Sequence, residues 1–173
     1  FLIKDVKVDA FVGRDGVEVG RDLARAALAS APRGKYVLCL GDQGTVVARE
    51  KAQGIMEILK PALDSGDITI VAQQYVKEWS PAGARQVVAQ ALTAHDNDIV
   101  AVVACNDGMA TGTLQALEAA GLAGKTFVSG EDAEYTALAL VNRDLLKVTN
   151  FTDFEQHGRL AAQFRRDEAG IDE

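Results

Sequence analysis

The sequence predicts an α/β fold: a doubly wound, Rossmann-like parallel sheet with helices on both faces. Three observations predict it. Short β-branched or apolar runs recur along the chain, helix-period stretches separate them, and polar loops follow the apolar runs. At 173 residues and 48% hydrophobic, the chain is long enough to bury one full core.

Asp9 to Val12 reads as the first strand. The stretch VEVGRDLARAALASAP then spaces Val19, Leu23, Ala27 and Leu28 on one helical face and stops at Pro32-Arg33-Gly34. Tyr36 to Leu40 forms the next strand. VVAREKAQGIMEILKPALDSG turns Val47, Ile55, Ile58 and Leu59 inward and ends at Ser65-Gly66. After a strand over Ile68 to Ala72, SPAGARQVVAQALTAHD places Ser80 at a helix cap and Pro81 at the first helical position, where its missing N–H costs nothing. Ile99 to Ala104 is a strand, and GTLQALEAAG is a helix ending on Gly121 as its C-terminal cap. Thr126 to Ser129 and Leu146 to Thr149 supply the last strands, and FEQHGRLAAQF reads as helix. The expected sheet has five or six parallel strands, with Val102, Val103 and Ala104 central and Leu38 beside them. No internal repeat, low-complexity run or linker interrupts the pattern.

Several function classes are disfavoured. Lys plus Arg total 18 against 25 Asp plus Glu, a net charge of −7, which argues against a nucleic-acid partner. The opening Phe1-Leu2-Ile3 does not make a signal peptide, and no apolar run approaches transmembrane length. A chain opening on Phe reads as a mature product or a piece of something longer. Cys39 and Cys105 have no metal spacing and, both lying on apolar strands, read as buried free thiols. GDQGTVVARE lacks the Gly-Lys-Ser/Thr ending of a phosphate loop, and no Gly-x-Gly-x-x-Gly opens the first helix. His95 falls at a helix end and His157 within a helix, with no cysteine or serine nearby in sequence. No catalytic residue, metal or cofactor is expected.

Ligands of open α/β sheets bind outside the carboxyl ends of the strands. The loops there include Gly13 to Gly16, Gly41 to Gly44, Gln73 to Trp79, Cys105 to Gly108, Gly130 to Asp132 and Asn150 to Asp153. Asp, Asn and Gly cap helices and make turns everywhere, yet six such loops at one sheet end point to a polar small-molecule site. With phosphate and redox chemistry unsupported, hydroxyl recognition is left: carboxylates and amides to grip vicinal hydroxyls, and an aromatic ring for the apolar face of a sugar. Trp79, the sole tryptophan, sits between a strand and a helix in VKEWSPAG, and both core packing and sugar stacking are open to it.

Nearly the whole chain carries a resemblance. VDAFVGRDGVEVG, GKYVLCLG, ILKPALDSGDITIV, VKEWSPAGA, VVACNDGMATG followed by VSGEDAE, and KVTNFTDF together resemble one lobe of the periplasmic sugar-binding proteins of ABC importers. The xylose-binding branch of the type I fold is the nearest in pattern. The resemblance implies six ligand-binding positions. Asp15 matches an acidic hydroxyl acceptor, Trp79 the stacking aromatic, and Asn106 an amide that exchanges hydrogen bonds with a ring hydroxyl. Asp132 matches a carboxylate that grips hydroxyls, and Arg49 an arginine that ribose-type relatives aim at the sugar. Thr152 stands where the xylose branch has Lys and ribose binders have Gln, and Gly16 where the xylose branch has Asn. Asp107, beside Asn106, is expected to cap the next helix.

The resemblance further implies a monosaccharide ligand, a pentose such as xylose first among them, held between two lobes of which this chain is one. Residues 8–150 would form the compact unit, with 1–7 and 151–173 as hinge-crossing or partner-lobe segments. The implied partners are a transporter permease or a membrane sensor, with the missing second lobe facing the site, in a periplasmic or extracellular setting. A lone lobe would leave Phe1, Leu2 and Ile3 in water, so self-association through the exposed lobe face is expected. The alternatives are a sugar-sensing domain of a receptor or of a repressor-type regulator and, in a different class, a small α/β enzyme.

Overall fold

The computed structural model describes residues 12–169. The chain divides into two compact units: Gly16–Phe151, and a smaller one from the two chain ends, of which 12–15 and 152–169 are described. The expected strand over Asp9 to Val12 lies outside the described residues apart from Val12, which is not in a strand; Phe1, Leu2 and Ile3 also lie outside them.

In the larger unit the order is α1 (Gly16–Ser30), β1 (Gly34–Leu40), α2 (Val46–Asp64), β2 (Ile68–Tyr75), a 3₁₀ turn (Lys77–Trp79), α3 (Pro81–Ala94), β3 (Ala101–Ala104), α4 (Asp107–Ala119), β4 (Phe127–Glu131), α5 (Tyr135–Asn142) and β5 (Val148–Asn150). The five strands form one parallel sheet in the order β2-β1-β3-β4-β5. Leu38 pairs with Val103 in the central strand, and Val102, Val103 and Ala104 are fully buried.

Strand order dictates the layers. The chain moves outward from β1 to β2, then reverses past β1 to β3 and β4. Right-handed crossovers therefore send α2 to one face and α3 and α4 to the other. Accordingly α1 packs on α2 and α3 on α4. The reversal makes the carboxyl ends of β1 and β3 the switch point of the sheet, the place where ligands of doubly wound sheets bind.

Local signals explain the helix ends. Ser80 accepts the Gly83 N–H at 3.2 Å with Pro81 at the first position of α3, and Thr45 accepts the Ala48 N–H at the start of α2. Gly121, at φ +71°, follows α4 as expected of a C-terminal cap. Helix α2 runs through Pro61 to Asp64. Strand β3 starts at Ala101, two residues later than the apolar run, although Val100 N–H still donates to the Lys35 carbonyl. Helix α5, only eight residues long, is an element the apolar pattern did not announce. Cys39 and Cys105 are free and buried.

The smaller unit contains α6 (Phe154–Ala169), capped by Asp153 Oδ1 accepting the Gln156 N–H at 2.8 Å. Ahead of it, the Arg14 guanidinium donates to Thr152 Oγ1.

Candidate functional site at the carboxyl edge of the sheet

The loop after β1 is built around Asp42. Its Oδ1 accepts the Gly44 N–H at 2.8 Å and its Oδ2 the Glu78 N–H at 2.7 Å, 36 residues on. These amides, Glu78 first, hold the Asp42 carboxyl below its ordinary range. The second bond clasps the 3₁₀ turn to the end of β1. Within that turn Glu78 and Trp79 adopt left-handed backbone, at φ 56° and 54°. The turn lays the indole ring across Gly41, where a Cβ would come within 2.1 Å of the ring. Trp79 is half-buried: part of its surface packs on the core and part faces outward.

The loop after β3 corrects one expectation. Asn106, not Asp107, caps α4, its Oδ1 accepting the Met109 N–H at 2.8 Å. Nδ2 of Asn106 has no hydrogen-bond partner among the described residues and is left as a donor. Asp107 is buried and turns toward the loop after β4, accepting the Glu134 N–H at 2.9 Å and the Thr149 hydroxyl at 2.7 Å. Burial is the largest influence on it and pushes its carboxyl above the ordinary range. The physical reason for the exchange is direction. The cap residue needs extended backbone, which Asn106 has at φ −158° and ψ 168°, while Asp107 is already helical.

Beyond β4, Asp132 is exposed on left-handed backbone, φ 111°, followed by Ala133 at φ 51°. Three bonds hold this strained loop. Asp132 N–H donates to the Asn150 carbonyl at 2.9 Å, Ala133 N–H to Thr149 Oγ1 at 3.1 Å, and Glu134 N–H to Asp107.

Two residues to which sequence reasoning gave no role bind these loops together. Lys51, on the inner face of α2, is buried, and its ammonium donates to a Glu131 carboxylate oxygen and, at 3.0 Å, to the Cys105 carbonyl. Its Nζ also lies 4.9 Å from the Trp79 ring centroid. One cation thus joins the neighbours of Asn106 and Asp132 to the Trp79 ring. The signal was present: Lys51 falls four residues after Val47 and four before Ile55 on an inward stripe, and a buried ammonium requires a carboxylate.

Trp79, Asn106 and Asp132 are therefore connected through one scaffold. Arg49 is exposed on the first turns of α2, with its guanidinium donating to the Gln43 carbonyl at 2.6 Å. Asp15 and Thr152 belong to the smaller unit, Asp15 exposed and Thr152 buried. A separate cleft of about 410 Å³ lies beside the end of β2, lined by Gln74, Tyr75, Lys77, Gln86 and Gln90 among others, and includes none of Trp79, Asn106 and Asp132. Among the described residues no cluster of His, Cys, Asp and Glu is arranged to hold a metal.

Residues 2–168 match the family model of a periplasmic binding protein domain. The D-xylose-binding periplasmic protein of Escherichia coli (strain K12) is 40% identical over 137 residues, which cover 79% of this chain and 42% of that protein. The chain thus spans about two fifths of the length of this curated relative. An ABC transporter periplasmic solute-binding protein from Actinobacillus succinogenes 130z, solved with bound D-allose, superposes with a TM-score of 0.82 at 28% identity, over 98% of this chain and 63% of the other. A fructose-binding periplasmic domain of a hybrid two-component system gives 0.83 at 27%, over 97% and 55%. With its parallel sheet, its polar carboxyl edge and a family match along almost its full length, the chain belongs to the periplasmic binding protein domain family.

Proposed function

We propose that this chain is a sugar-binding lobe of the solute-binding component of an ABC-type transporter, holding a monosaccharide between itself and a second lobe in the periplasm or another extracellular compartment. The observation that carries the reading is the grouping at the carboxyl edge: a half-buried indole, an amide whose Nδ2 is unengaged among the described residues, and an exposed carboxylate on one braced scaffold. An indole suits the apolar face of a sugar ring, and a carboxylate beside an amide suits vicinal hydroxyls. Binding rather than catalysis follows, as do a permease partner and self-association of an uncovered lobe. Arg49, Asp15 and Thr152 enter on the family resemblance alone. Relatives named for D-xylose and solved with D-allose favour a pentose or hexose, with D-xylose first because that relative is 40% identical.

A second reading is a sensor domain that passes a sugar signal across the membrane. It is favoured by the likeness to the fructose-binding domain of a two-component system.

The test is nuclear magnetic resonance of the ¹⁵N-labelled chain titrated with a panel of pentoses and hexoses, since one lobe is expected to bind weakly. The Trp79 indole N–H and the Asn106 side-chain amide should shift with a monosaccharide and stay put with nucleotides or amino acids. Asp132→Ala should lose affinity roughly tenfold to a hundredfold. Silence toward every sugar, or an Asp132→Ala variant that binds like the parent, overturns the sugar site.

A further inference from the structure

We propose that the Lys51–Glu131 ion pair is the positioning element of the binding site, holding the Trp79 indole in place at the carboxyl edge of the sheet. The role assigned to the pair deepens the sugar-binding reading and rests on it; the contact between Lys51 and Trp79 does not.

Both side chains are about 95% removed from solvent, at 5% and 6% exposure. Burying two charges costs several kcal/mol per ion, and a well-packed apolar pair of the same volume commonly serves stability as well or better. The pair therefore has no clear advantage as a stabiliser, and what it does locally is the better guide. Its ammonium is held from two sides, by Glu131 at the end of β4 and by the Cys105 carbonyl just past β3. Its backbone is held as well, because α1 crosses α2 with Gly20 against the Lys51 carbonyl, where a Cβ would come within 2.1 Å. A cation fixed this firmly cannot follow the ring; the ring follows the cation.

Trp79 needs such an anchor. It sits at the end of a three-residue turn, on left-handed backbone, half-exposed, and its indole is not clasped by a hydrogen bond among those described. Gly41 limits the ring from below, and the ammonium 4.9 Å from its centroid attracts the face electrostatically. An indole held before the ligand arrives loses less rotamer freedom on binding, and that saving appears as affinity. The same pair also sets Glu131, the residue immediately before Asp132, so one element aligns the aromatic and the carboxylate contacts.

The experiment compares the parent chain with Lys51→Met/Glu131→Gln, which removes both charges and leaves neither one unpaired. In the parent, the Lys51 side-chain methylene protons should resonate upfield through the ring current of Trp79; positions typical of a free lysine overturn the proposal, whether or not the variant folds. In the folded variant the emission maximum of the sole tryptophan should shift and acrylamide should quench it more readily. Affinity for D-xylose, or for whichever monosaccharide the parent binds, should drop roughly threefold to thirtyfold. A variant that matches the parent in emission, quenching and affinity overturns the proposal. If no sugar perturbs the parent, the sugar reading fails, and with it the pair's role in binding. The proton shifts and the emission of Trp79 still report separately on whether Lys51 holds the ring.

Discussion

The Asp107 carboxylate accepts the Glu134 backbone N–H at 2.9 Å, joining the first turn of α4 to the loop that carries Asp132. The same carboxylate accepts the Thr149 hydroxyl, and Thr149 in turn accepts the Ala133 N–H. One buried acid therefore sets the shape of a loop in which two consecutive non-glycine residues have positive φ. Gly130 makes the approach possible, since a Cβ there would lie 2.1 Å from Asp107 Oδ1.

Removing that acid should release the loop. Asp107→Ala leaves the Glu134 N–H and the Thr149 hydroxyl without their acceptor, a loss of about 3 kcal/mol for charge-assisted bonds. Amide exchange at Asp132, Ala133 and Glu134 should quicken more than exchange in β3. An unfolding midpoint and loop protection equal to the parent's would show that the carboxylate does not hold the loop.

The raised pKa of Asp107 has a definite sign. Its folded pKa lies above the unfolded value because burial penalises the charge, with Glu134 adding repulsion. Stability from this group is thus fully present below the unfolded pKa, near 4, and is lost as pH rises through the raised folded value. Asp107→Asn keeps the shape without the ionisation. In urea unfolding at a series of pH values, the parent should lose ground to Asp107→Asn as pH rises through that window. A constant gap, or one moving the other way, contradicts the assignment.

The periodicities made most of the fold legible. Of the inward stripes, Val19, Leu23, Ala27, Ile55 and Leu59 are buried as read while Leu28, Val47 and Ile58 are only half-buried, and the central run over Val102 to Ala104 is the middle strand. Helix α5 was missed because eight residues give too few turns for a face to declare itself. At the site, residue types were legible and side-chain directions were not. Asn106 and Asp107 are both good caps, and only the backbone of the strand end decides which one caps. The left-handed turn at Glu78 and Trp79 contains no Gly or Asn to announce it, and depends on Asp42, 36 positions away. Lys51 was visible on an apolar stripe, but its partner lies 80 residues downstream, and pairing is a property of the sheet.

Gly41 should be intolerant of any side chain. A Cβ would sit 2.1 Å from the indole, so Gly41→Ala must displace Trp79. Overpacking of this kind costs about 1–3 kcal/mol. Tryptophan emission should move to longer wavelength as the ring is pushed toward water, and the urea midpoint should fall. An unchanged spectrum would mean that the ring does not rest on Gly41.

The two thiols should be inert in the folded chain. Burial pushes Cys39 up to about 12 and Cys105 up to about 11, and the thiolate is the reactive form. A disulfide reagent at mildly alkaline pH should detect both only after denaturant is added, at a rate set by unfolding. Fast labelling of either thiol under native conditions would contradict its burial.

The same substitution should have opposite signs at two helical glycines. In α2 a Cβ on Gly54 would lie 1.9 Å from the Val17 carbonyl oxygen of α1, a backbone atom that moves only if the helices part. In α6 a Cβ on Gly158 would meet nothing within 4 Å. Alanine in a helix interior gains about 0.5–1 kcal/mol over glycine in either place. At Gly54 the clash opposes that gain with about 1–3 kcal/mol or more, so the net effect should be destabilising. Parting α1 from α2 also shifts Lys51, whose carbonyl packs against Gly20 in the same crossing, so Gly54→Ala should disturb Trp79 emission from a distance. Gly158→Ala should keep or raise the helical signal in circular dichroism and leave that emission alone. If Gly54→Ala is as stable as the parent with an identical spectrum, the helices do not cross as closely as 1.9 Å implies, and the support for Lys51 must come from Glu131 and Cys105 alone.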